Sequence, residues 1–180
     1  LYNEKVFLFG KGRVKILLKN LFGKKSVEEE LVAPLNGKVV SLDEVDDPVF
    51  SQRMMGDGVA IQPTDGKVVS PISGEIVQIF PTNHAVGIKT KSGVEVLVHI
   101  GLETVSMEGE GFEGHVKTGD KVNAGDHLIT FDPQLVEEKA KSSITPVIIT
   151  NFDDAVESFD PSYSDTASAG ETKIATLQTK

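Results

Sequence analysis

Beyond Leu31 the chain is written in short apolar runs, rich in Val and Ile, broken every few residues by Gly, Pro, Asn or Asp. That texture predicts short strands joined by tight turns, an all-β fold built as an antiparallel β-sandwich. Apolar spacing of the helical kind is nearly absent; Gln134–Lys141, enough for about two turns, is the main exception. Turns are predicted at Gly56-Asp57-Gly58 and through 118–126, where Gly, Asp and Asn cluster. The stretch 153–170, rich in Asp, Ser, Ala and Gly, reads as a loosely held loop, and the alternating run 171–177 as a final strand. A weak repeat runs through the pattern: Ala33-Pro34-Leu35-Asn36-Gly37-Lys38-Val39-Val40 returns as Ser70-Pro71-Ile72-Ser73-Gly74-Glu75-Ile76-Val77. Two related β units packed into one sandwich are the expectation.

One hairpin carries the most chemistry. Val86–Thr90 and Val94–Ile100 have strand composition, and Lys91-Ser92-Gly93 between them supplies the turn. The hairpin is flanked by His84 and His99. A Ser92-Gly93 turn makes the two imidazoles diagonal neighbours on one face, roughly 7–8 Å apart at the backbone. A Lys91-Ser92 turn sets them directly opposite. A three-residue loop alone sends them to opposite faces, because each one-residue slip inverts the side-chain pattern.

Charge changes the picture at the N-terminus. Residues 1–25 hold seven basic side chains against Glu4 alone, +6, which leaves −15 for the remainder of a chain whose net charge is −9. Val14, Ile16, Leu17, Leu18, Leu21 and Phe22 among Lys15 and Lys19 form a basic amphipathic stretch suited to an anionic membrane surface. The expected organisation is therefore an N-terminal segment, 1–27, followed by one domain, 28–180. The acidity of that domain argues against nucleic acid as a partner. No cysteine is present, which excludes disulfides, thiolate metal sites and cysteine nucleophiles and suits a cytoplasmic address. No apolar run approaches the roughly 20 residues of a membrane-spanning helix.

Among the chemistries open to two histidines, a zinc peptidase of the lysostaphin type lacks its His-x-His element, since the second residue after His99 is Gly101. A biotinyl or lipoyl carrier lacks its lysine-bearing tip, and no nucleophile elbow or phosphate-binding glycine loop occurs. Histidine itself remains as nucleophile. A neutral imidazole, with an ordinary pKa of about 6.5, is available near pH 7. A second imidazole beside it suits phosphoryl transfer, which asks mainly for in-line positioning and donors to the phosphoryl oxygens and in principle needs no metal or cofactor.

At these residues the chain resembles the glucose-type IIA component of the bacterial phosphoenolpyruvate:sugar phosphotransferase system. The segments that carry the resemblance are Leu31-Val32-Ala33-Pro34-Leu35-Asn36-Gly37, Val49-Phe50, Met55-Gly56-Asp57-Gly58, Pro81-Thr82-Asn83-His84-Ala85, Val98-His99-Ile100-Gly101-Leu102-Glu103-Thr104-Val105 and Gly109-Glu110-Gly111-Phe112. The resemblance implies an antiparallel β-sandwich of the barrel-sandwich hybrid type. It implies that His99 accepts a phosphoryl group from the phosphocarrier HPr and hands it to the cysteine of a sugar-specific IIB domain. His84 then stabilises that group, with Thr82 holding its ring. An apolar ring for partner docking maps to Val49, Phe50, Met54, Met55, Phe80, Leu97 and Val105, and Asp47 and Glu103 match acidic positions at its rim. The alternative function is a regulatory binding protein that docks on transporters or metabolic kinases according to its phosphorylation state. The N-terminal segment departs most from the family pattern; as a membrane-surface element it would place the molecule peripherally at the inner face of the membrane. His115 and His127 match no motif and are read as surface residues.

Overall fold

The computed structural model describes residues 25–180. Fourteen strands lie within them: β1 (Glu28–Val32), β2 (Gly37–Ser41), β3 (Asp57–Pro63), β4 (Lys67–Val69), β5 (Gly74–Ile79), β6 (Ala85–Lys89) and β7 (Glu95–His99). The second half adds β8 (Phe112–Gly114), β9 (Lys121–Val122), β10 (His127–Phe131), β11 (Thr145–Ile149), β12 (Val156–Pro161), β13 (Ser164–Ala167) and β14 (Lys173–Thr179). They pair into an eight-stranded sheet, β13-β2-β3-β11-β7-β6-β5-β9, and two three-stranded ones, β1-β14-β12 and β4-β10-β8. The pairings are antiparallel, as the strand pattern predicts.

The eight-stranded sheet is buried on both faces at its centre, which is why its sequence reads as unbroken apolar runs. Val39, Val59, Ile61, Val86, Val96, Val98, Val147 and Ile149 point into the main core. Their neighbours Val40, Ala60, Ala85, Leu97 and Ile148 point the other way, into a smaller cluster closed by Leu42, Val45, Phe50, Leu102 and Ile144. His99, two residues beyond Leu97 on β7, emerges at the edge of this smaller cluster. Over it lies the helical turn Pro48–Ser51, which starts because Asp47 caps it, accepting from the Val49 N–H at 2.9 Å, and because Pro48 sits where no N–H is needed.

The repeat has a structural meaning. The Val32 N–H donates to the Pro71 carbonyl at 2.9 Å and the Val69 N–H to the Pro34 carbonyl at 2.8 Å, so the two units clasp each other reciprocally. Gly37 and Gly74 open the strand that follows each clasp. A Cβ at Gly37 would stand 2.0 Å from the Gln62 carbonyl oxygen and one at Gly74 2.5 Å from that of Lys89. Both strands can start there only with glycine.

Three expectations need correction or qualification. The β6–β7 loop is the three-residue Lys91-Ser92-Gly93, with the Thr90 N–H bonded to the Val94 carbonyl and Gly93 at φ 100. The register is Ala85↔His99, neither of the two simpler ones. Residues 153–170 are not a loose loop: they hold most of the helical turn Phe152–Ala155 and the strands β12 and β13. The basic amphipathic stretch falls on residues 1–24, outside the described residues, apart from Lys25. The predicted helix is seen as Pro133–Lys139, capped by Asp132.

Candidate active site

His99 ends β7, and the chain turns sharply after it. Gly101 has φ 70 and Glu103 φ 61, both left-handed. A side chain at Gly101 would meet Thr104 Cγ2 at 2.6 Å and the Ser142 carbonyl oxygen at 2.7 Å. The turn is locked by the buried Thr104, whose hydroxyl donates to the Ile100 carbonyl at 2.6 Å. Its product is a carbonyl, that of Gly101, 2.9 Å from His99 Nδ1. A carbonyl only accepts, so Nδ1 carries the hydrogen and the lone pair of the ring lies on Nε2.

His84 comes from the turn before β6. The Asn83 N–H donates to Phe80 O at 2.8 Å, Asn83 takes φ 55, and the His84 carbonyl accepts from the Ile100 N–H at 2.8 Å. Strand alternation stops at Ala85, so the Ala85↔His99 register does not decide where His84 points. The left-handed Asn83 swings its ring back over the sheet to His99, the two ring centroids standing 5.1 Å apart at 77°. Thr82 Oγ1 lies 2.5 Å from His84 Nδ1. Phe80 flanks His84 and Phe50 flanks His99, each at 5.2 Å, giving a continuous row of four rings.

Burial favours the neutral form of both imidazoles. His84 is 5% exposed; burial first, and the positive charge His99 would carry second, push its pKa down to about 4. Burial also lowers His99 below the ordinary 6.5, opposed by the Gly101 carbonyl and by the Asp47 carboxylate.

The residues expected around the pair divide by depth. Val49 (37% exposed), Met54 (70%), Met55 (39%) and Val105 (58%) stand out from the surface, whereas Phe50 and Leu97 are buried and Phe80 is half-buried. Four are therefore surface residues and three lie deeper. Asp47 is tied to its helix cap, and Glu103 is exposed at the start of the short helix Thr104–Met107. Gly101, Asn83 and Thr104, which shape the site, lie within the segments that carry the family resemblance, but the sequence assigns none of them a role there. Clefts of about 470 and 410 Å³ lie to the side, and neither histidine lines either one.

Comparison with known proteins assigns the chain to a family. Residues 29–155 match the family model described as phosphoenolpyruvate-dependent sugar phosphotransferase system, EIIA 1. The chain belongs to this family. Among its relatives, the PTS system glucose-specific EIIA component of Bacillus anthracis is 59% identical over 160 residues, 88% of this chain and 96% of the relative. The protein of the same name from Halalkalibacterium halodurans is 56% identical over 171 residues, 90% and 98%. The solved glucose permease IIA from Mycoplasma capricolum superposes with a TM-score of 0.75 at 43% identity, covering 85% of this chain and 96% of that one. The sandwich is thus the EIIA fold, and this EIIA chain is a phosphotransferase component, a phosphoryl carrier of sugar uptake. Among the described residues no helix is long and apolar enough to cross a membrane.

Proposed function

We propose that His99 Nε2 is the atom that carries the phosphoryl group, taking it from phosphohistidine on HPr and passing it to the IIB domain of a glucose permease in the cytoplasm. The observation that carries this reading is the Nδ1 contact with the Gly101 carbonyl, which leaves Nε2 as the nucleophile. The Nε2 lone pair forms the new P–N bond as the old one breaks, and the HPr ring departs with the electron pair of that bond. Positive charge then grows on the His99 ring, where the Gly101 carbonyl accepts from Nδ1–H and Asp47 lies near enough to favour it. His84 supplies the donor. With the Thr82 hydroxyl donating to Nδ1, His84 carries its hydrogen on Nε2 and offers it to a phosphoryl oxygen. Because burial favours the neutral form of both rings, like charges are kept from colliding before the phosphoryl group arrives. Sugar specificity for glucose rests on the names of the relatives.

The exposed Val49, Met54, Met55 and Val105 support docking of successive partners, since flexible thioethers repack against different surfaces. They equally serve a regulatory role in which other proteins bind the unphosphorylated face. Asp47 and Glu103 add charge for a basic partner.

The test is incubation with phosphoenolpyruvate, enzyme I and HPr, read by intact mass for acid-labile phosphate. Wild type and His84→Gln should gain one phosphoryl group and His99→Gln none. Wild type left unmodified beside charged HPr removes the carrier assignment, while His99→Gln that still docks partners supports the regulatory role.

A further inference from the structure

A second imidazole pair lies on the sheet β4-β10-β8. His115 directly follows β8, and its N–H donates to the Leu128 carbonyl at 2.8 Å, extending the Gly114↔Ile129 register. The register of β10 against β4 shifts between His127 and Ile129. That irregularity lets Leu128 and Ile129 both face the core, and it leaves His127 and Thr130 together on the outer side. His115 meets them there. The two ring centroids are 4.2 Å apart, closer than those of His84 and His99.

The nitrogens are arranged differently from those of the reacting pair. In that pair the contacts run through Nδ1, to Gly101 O and Thr82 Oγ1. Here His115 Nε2 is 2.8 Å and His127 Nε2 3.0 Å from the same atom, Thr130 Oγ1. One hydroxyl has one hydrogen, so it donates to one ring and accepts from the other; at least one Nε2 therefore presents its lone pair to that point. Two ring nitrogens converging on one point, from adjacent segments held by a sheet, is the arrangement a chelate requires.

We propose that His115 and His127 bind a divalent first-row transition metal through their Nε2 atoms. Imidazole nitrogen is a ligand for zinc, nickel and copper and takes zinc at about 2.0–2.1 Å. That distance is reached when the Thr130 hydroxyl rotates away and the rings close on the ion. His115 is exposed and His127 half-buried, so both rings have room to adjust. Glu113, paired with Thr130 across β8 and β10, is the nearby carboxylate that favours a cation; Lys67, paired with Thr130 from β4, opposes it. Among the described residues no group of three or more His, Cys, Asp or Glu completes a metal cage. Water must then fill the remaining positions, which makes this an exchangeable two-point site.

Zinc chloride titration of the full chain by calorimetry at pH 7.5 tests the proposal, with His84 and His99 as the competing imidazole pair. One site is expected, weakened by more than about tenfold in His115→Gln and His127→Gln and retained in His99→Gln. His115 is exposed, so H115Q stays informative if H127Q is poorly folded. Absence of binding to wild type overturns the proposal. So does binding that survives in H115Q and disappears in H99Q, which assigns the metal to the reacting pair.

Discussion

Burial holds the His84 imidazole neutral well below the pH at which a free histidine takes its proton. Between pH 6.5 and about 4 the unfolded chain binds a proton at this position that the folded chain refuses. The stability it contributes is therefore complete above pH 6.5 and declines as the pH falls toward 4, by about 3 kcal/mol in all. Urea unfolding of wild type and His84→Gln at pH 7.5 and 4.5 should show the larger loss in wild type; equal losses contradict the buried neutral ring. At this scale the sequence marks His84 and His99 as a candidate pair and is silent about how they meet. His84 and His99 are conspicuous because strand residues and a Ser-Gly turn bracket them. Their register is not, since the same three letters, Lys91-Ser92-Gly93, serve a two-residue or a three-residue loop, and Gly93 at φ 100 selects the longer. What brings the rings together is a left-handed Asn83, a conformation the amino-acid code permits without announcing.

At the scale of elements, Asp47 does two jobs that substitution can separate. Its carboxylate caps the turn Pro48–Ser51, and its charge favours the protonated form of His99. Asp47→Asn keeps an accepting oxygen for the Val49 N–H and removes the charge, so the His99 ring should titrate at lower pH with little change in Tm. Asp47→Ala should show the same titration shift and lose about 1 kcal/mol of stability as well. Histidine proton NMR against pH and thermal unfolding read the two effects; an unmoved His99 titration in both variants separates Asp47 from the site. The strands β12 and β13 illustrate the opposite limit of legibility. Val156 and Phe159 turn inward on β12 and Ala167 on β13, among Asp, Ser, Glu and Thr. These strands exist by hydrogen bonding to β14 and β2, which composition does not reveal. The central strands, by contrast, are legible because both faces are buried and nearly every residue is apolar.

The described domain, residues 25–180, is closed by pairing its first and last strands. Val27 and Thr179 are linked twice, Thr179 N–H to Val27 O and Val27 N–H to Thr179 Oγ1, each at 2.9 Å, and Glu28 faces Gln178 across β1 and β14. A circular permutant with residues 25 and 180 joined by a short Gly/Ser linker and new ends between Lys91 and Ser92 should unfold cooperatively with a Tm within about 10 °C of the parent. An unfolded permutant would show that continuity through that hairpin is indispensable. The same pairing fixes how the domain hangs from anything fused to it. Chain arriving at residue 25 and chain departing after residue 180 share one point of attachment, so a fused domain behaves as a bead on a single stalk. For a carrier that must visit one protein and then another, stalk length then sets the local concentration at which it meets each of them.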